Sequence, residues 1–187
     1  MSDDALYSLR NNFFTGNYQA GINEAQSLDQ DVDEEIKNVF INRCYIGLGN
    51  YQLVIDEIEN NASPSLLAVK YLAQYFKSPA QGNSILEKLT SLNRTETVAV
   101  VLATVHYQLG NYEEGLKVVS ATKSMEAEAL MIHGLLALNR PDKAAEILAK
   151  MQKEDEDNPL VTLASAWVSI CKVNYSKIAF APTISNF

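Results

Sequence analysis

Gly16-Asn17-Tyr18-Gln19-Ala20-Gly21-Ile22, Gly49-Asn50-Tyr51-Gln52-Leu53-Val54-Ile55 and Gly110-Asn111-Tyr112-Glu113-Glu114-Gly115-Leu116 are three copies of one turn. Each stands between an apolar stretch and a second, shorter one. The copies are separated by 33 and 61 residues, the second interval being close to two further units. Ser78-Pro79-Ala80-Gln81-Gly82 fills the missing place with different turn chemistry, and Asn139-Arg140-Pro141-Asp142 follows about one unit after Tyr112. Turns near 16, 49, 79, 110 and 140 give a period of 30 to 33 residues. A fixed period of that length marks supersecondary units that cannot bury their apolar faces alone and stack to do so.

Each turn reads as a helix stop followed by a helix start. Glycine accepts the left-handed backbone that ends a helix, and Asn17 is placed to cap the helix after it. Working outward, Leu6, Leu9, Phe13 and Phe14 recur at helical spacing before Gly16, with Asp3 or Asp4 as a candidate cap, and Ile22, Ala25 and Leu28 recur after it. Helices are predicted over 32–48, 51–59 and from Pro64, where Ser63 caps and proline takes the first helical position. Others are predicted around 85–92, from Thr95 or Thr97 to 109, and over 112–121, 125–138, 141–153 and 158–171. The run Val98-Ala99-Val100-Val101-Leu102-Ala103-Thr104-Val105 has strand propensity. The surrounding period assigns it to a buried helix. Gly21, Gly115 and Ala144 sit in second helices about five residues after the turn. A larger side chain there would hold paired helices apart, although Val54 breaks the pattern. The expected fold is all-α: a right-handed α-solenoid of helix hairpins over residues 1–171, about five pairs and one further helix, then a divergent, disordered tail over 172–187. The array ends on apolar Trp167-Val168-Ser169-Ile170, so the chain reads as cut short.

Composition narrows the function. The net charge of −8 and pI near 4.8 argue against nucleic acid and anionic membrane surfaces, which reward clustered Lys and Arg. The acidic start lacks a signal-peptide layout, and no apolar run approaches the ~20 residues of a membrane helix. Cys44 and Cys171 lie far apart in apolar contexts and are expected as buried thiols in a reducing compartment. A soluble, cytosolic protein is expected. His106 and His133 sit in apolar helices, where packing is the ordinary role. Two distant histidines and two distant cysteines supply neither a metal site nor a catalytic pair, so no catalytic, cofactor or metal residue is predicted. Glu154-Asp155-Glu156-Asp157 lacks the alternating ligands and glycine of a calcium loop and is expected as a solvated joint.

A solenoid binds instead through the concave face of its first helices. Counting back from the turns places Leu6, Val39, Val69, Val100 and Leu130 at one equivalent position, and Arg10, Arg43, Ala73, Thr104 and Gly134 a turn later. The apolar set is either an inner groove for an extended partner segment or packing against the neighbouring helix; both readings stand at this point. The candidate partner-binding residues are Leu6, Arg10, Val39, Arg43, Val69, Val100, Thr104 and Leu130. The structural turn residues are Gly16, Tyr18, Gly49, Tyr51, Gly110 and Tyr112.

Leu109-Gly110-Asn111-Tyr112-Glu113-Glu114 is similar to a tetratricopeptide repeat turn, and the other units are degenerate versions of it. Residues 6–19, from Leu6-Tyr7-Ser8-Leu9-Arg10 to Gly16-Asn17-Tyr18-Gln19, resemble the start of the epsilon subunits of coatomer, the COPI vesicle coat. So does the stretch from Ile41-Asn42-Arg43-Cys44 to Ile58, and so do Lys150-Met151-Gln152-Lys153-Glu154-Asp155-Glu156-Asp157 and Leu163-Ala164-Ser165-Ala166-Trp167. The resemblance covers roughly residues 5 to 170, loosens between Ser78 and Asn139, and gives way after about Ile170. It implies a structural, non-catalytic coat subunit. Such a subunit wraps the C-terminal region of the alpha coatomer subunit in Golgi-to-ER retrograde and intra-Golgi transport, is cytoplasmic, and is peripheral on Golgi membranes and COPI-coated vesicles. The alternative is a free-standing tetratricopeptide adaptor or co-chaperone gripping short peptides.

Overall fold

A computed structural model describes residues 6–28 and 32–173, with side chains to Cys171. Among the described residues the chain is helical, with eleven α-helices and one short 3-10 turn. They are α1 Tyr7–Phe14, α2 Tyr18–Ser27, α3 Glu34–Gly47, α4 Tyr51–Glu57, α5 Pro64–Lys77, the 3-10 turn Pro79–Gln81, α6 Gly82–Ser91, α7 Glu96–Gln108, α8 Tyr112–Val119, α9 Met125–Ala137, α10 Pro141–Glu154 and α11 Pro159–Val173. The expected all-α hairpin fold is what forms. The tail expected over 172–187 falls almost wholly outside the described residues, as do Asp3 and Asp4.

The chain divides into two compact units, one ending at Val98 and the next beginning at Ala99. In the first, α1 packs on α2 and α3, and α3 packs on α2, α4 and α5. α5 in turn packs on α4 and α6. In the second, α9 packs on α8, α10 and α11, and α10 packs on α11. Within each unit a second helix therefore wedges between successive first helices, and first helices also touch each other directly. That arrangement buries two sides of the first helices that have a neighbour on each side, which is why their apolar stripes are broad.

Four turns share one backbone device. Gly16, Gly49 and Gly110 have φ of 78°, 80° and 80°, and Asn139 joins them at 58°. At each, the left-handed residue and the residue after it donate back into the helix just ended. Gly16 N–H reaches Phe13 O and Asn17 N–H reaches Asn12 O; the same pair of bonds recurs at Gly49, Gly110 and Asn139. These bonds satisfy carbonyls that a helix end leaves open. Asn139 serves where glycine is absent because asparagine tolerates the left-handed region better than most side chains. The Pro79 turn uses another route. Ser78 keeps a negative φ of −143°, its N–H bonds Gln74 O and Tyr75 O, and the 3-10 turn leads straight into α6.

Side-chain caps fall where expected in part. Ser63 accepts from Leu66 N–H with Pro64 behind it, and Thr95 accepts from Val98 N–H at 3.2 Å. Asn17 occupies the cap position of α2, but its side chain donates to Thr15 Oγ1 instead of capping. α3 begins later than predicted because Asp33, not Val32, supplies the cap to Ile36 N–H at 3.1 Å. Residues 98–105 are buried throughout and helical, so the β-branched run does form a buried helix. Lys70 is 9% exposed and donates to Ile58 O and Asn60 Oδ1, tying the α4–α5 loop to the flank of α5.

Candidate functional site

Seven of the eight candidate contact residues lie on first helices, as their spacing requires, and Leu6 stands at the N-terminal cap of α1. The structure places the apolar five inside the packing. Leu6 is 1% exposed, Val39 3%, Val69 0%, Val100 1% and Leu130 4%. Of the two readings the sequence leaves open, the geometry realises packing within each unit. Leu6 joins Leu9, Phe13, Ile22, Ala25, Phe40 and Cys44 in the first unit, and Val100 and Leu130 join Ala103, Tyr107, Val119 and Ala127 in the second.

In the polar row Arg43 and Thr104 are buried while Arg10 is half-buried, and the row's register needs correcting in the last hairpin. With Asn139 as the left-handed residue, the position six before the turn is His133, not Gly134, and the position ten before it is the buried Ala129, not Leu130, so the polar row is Arg10, Arg43, Thr104 and His133. Arg43 is buried, its guanidinium carbon 4.4 Å from the centre of the Phe13 ring and 5.4 Å from that of Phe40. Arg10 stands 5.8 Å from the Phe40 ring, and the two phenylalanines meet edge to face at 5.4 Å. An arginine over an aromatic face gains about 1–2 kcal/mol when water is excluded, which holds these cations to the protein's own rings. Thr104 Oγ1 donates to Val100 O at 2.8 Å. The His133 ring lies 5.6 Å from Tyr107 and 5.8 Å from Trp167, and burial pulls its pKa down to about 4. It is neutral near pH 7.

The turn tyrosines pack toward first helices. Tyr51 stacks on Phe76 at 6.0 Å and Tyr112 lies 5.6 Å from Tyr107. Tyr18 fills a notch at Gly47, where an added Cβ would come within 2.6 Å of its ring. Tyr107 is seated between two glycines. A Cβ at Gly115 would strike its Cε1 and lie 2.6 Å from its Cδ1, and one at Gly134 would lie 2.8 Å from its Cζ. Gly47 and Tyr107 lie outside the residues that spacing singles out, and Gly134 is singled out only for the concave row, not as a seat for a tyrosine. Their signal was present only as a small residue about one repeat from a tyrosine, and a single sequence does not say which tyrosine a glycine faces. Gly21 and Ala144 are buried, as expected for close helix approach.

No reactive centre assembles around these groups. Cys44 is buried, and desolvation raises its thiol pKa to about 11 even though Arg43 pulls the other way. Cys171 is half-buried rather than buried, and both thiols are free. No three His, Cys, Asp or Glu side chains come together to hold a metal ion among the described residues. Glu154, Asp155, Glu156 and Asp157 are exposed at the α10–α11 joint, where Asp155 Oδ2 accepts from Asn158 Nδ2 at 3.1 Å. No helix among the described residues is long and apolar enough to cross a membrane. What the arrangement offers is a set of rigid helical surfaces.

The sequence profile of the coatomer epsilon subunit family matches residues 2–184. The chain is 36% identical over 183 residues to coatomer subunit epsilon-1 of Arabidopsis thaliana, covering 94% of this chain and 62% of that protein. It is 33% identical over 174 residues to coatomer subunit epsilon of Caenorhabditis elegans, covering 89% and 60%. With the Dictyostelium discoideum protein it shares 29% over 188 residues, covering 91% and 62%. The chain thus spans about 62% of the length of its plant relatives. The profile match continues beyond Ile170, where the sequence reading had the resemblance give way, to residue 184. With the hairpin architecture and the profile match covering the same residues from Leu6 to Val173, the chain belongs to the coatomer epsilon subunit family.

Proposed function

We propose that this chain is a structural subunit of the COPI vesicle coat and that it binds the C-terminal region of the alpha coatomer subunit. Through that subunit it joins the rest of coatomer, in Golgi-to-ER retrograde and intra-Golgi transport, on the cytoplasmic side of Golgi membranes and coated vesicles. The observation that carries the reading is the family match over residues 2–184. Helix hairpins with a fully packed interior support it, because a coat subunit acts by holding a rigid surface rather than by chemistry. In this reading Leu6, Val39, Val69, Val100 and Leu130 act from beneath the surface by fixing the spacing of first helices, with Arg43 and Thr104 beside them. Arg10, half-buried at the end of its row, is the one candidate with side-chain area left for a partner. No observation favours a peptide-gripping adaptor over this reading.

The test is capture from cell extract with the purified 187-residue chain, with identification of what is retained. Recovery of the alpha coatomer subunit with other coat subunits is expected. Retention of chaperones alone by folded protein would overturn the proposal. Aspartate at Val100 or Leu130 is a poor binding probe, since burying a charge there would unfold the second unit.

A further inference from the structure

We draw no further inference here: the strongest candidate, the outer side of α11, where Ala166 and Ile170 stand exposed at the positions, counted from the caps Asn158 and Ser124, at which α9 buries Ile132 and Leu136, carries nothing because nothing in the structure shows what covers it.

Discussion

Both units seat a tyrosine against glycine, yet they bury it to different depths. In the first unit Tyr18 lies half-buried over Gly47, with Phe13 6.0 Å away and the Arg43 guanidinium over the Phe13 ring. In the second, Tyr107 is 6% exposed between Gly115 and Gly134, and its hydroxyl oxygen has no hydrogen-bond partner among the described residues. Leaving a hydroxyl unsatisfied costs about 1–3 kcal/mol. Burying a tyrosine ring of roughly 150–200 Å² returns about 4 kcal/mol. Ring burial wins, so the second unit tolerates a polar defect for the sake of close helix approach. The first unit keeps that tyrosine at the edge and instead buries Arg43 against aromatic faces. One turn device thus supports two different ways of filling the interior.

The sharpest break of that comparison is Gly115→Val. Tyr107 has no room to move away, so the variant should lose at least about 3 kcal/mol, or roughly 10 °C in Tm by thermal denaturation. Gly47→Ala should lose only about 1 kcal/mol, because Tyr18 can swing toward solvent. Equal losses would contradict the difference in depth. Arg43→Ala comes next, at about 2 kcal/mol, since it removes both the guanidinium and the stem packed on Phe13 and Phe40. Thr104→Ala, at the same register in the second unit, should change stability by under about 1 kcal/mol in the same denaturant titration.

Acid should act on the second unit through His133. Its folded pKa is held down to about 4, whereas the unfolded chain takes up the proton near the ordinary value of 6.5. The unfolded state therefore binds more protons between those values, and this contribution to stability is lost as pH falls through that window. Tm should drop by roughly 5 °C between pH 7 and pH 5 from this group, and His133→Gln should flatten the dependence. A variant that keeps the full slope would move the origin elsewhere.

These contrasts also show what a single sequence exposes. Gly16, Gly49 and Gly110 were legible because only a left-handed turn explains glycine followed by Asn-Tyr at one period. Asn139 was legible as a turn but not as its left-handed residue, because Pro141 sits two positions on and draws the eye to the helix start. That one-residue shift misplaced Gly134 and Leu130, and hid His133 and Ala129 from their rows. The burial of Leu6, Val39, Val69, Val100 and Leu130 could not be settled from spacing, since groove-lining and neighbour-packing positions share the same repeat. Gly110→Ala should cost about 1–2 kcal/mol by forcing a Cβ into the left-handed region, while Asn139→Gly should be within about 0.5 kcal/mol of neutral. Loss of stability in the second but not the first would show that the Asn139 side chain, rather than the left-handed backbone, decides that turn.

A small effect of the opposite sign is expected for Tyr107→Phe, which removes the hydroxyl that has no partner among the described residues and keeps the ring. It should leave stability unchanged or raise it by up to about 1 kcal/mol. A clear loss would show that the oxygen has a bonding partner after all.

Calorimetric titration of the purified chain with the C-terminal region of the alpha coatomer subunit, at about 50 and about 300 mM salt, tests the central claim most directly. A stable one-to-one complex whose affinity changes little with salt is the predicted result, as for an interface that is mostly apolar. Absence of binding by folded protein, or weak binding that salt abolishes, would contradict it.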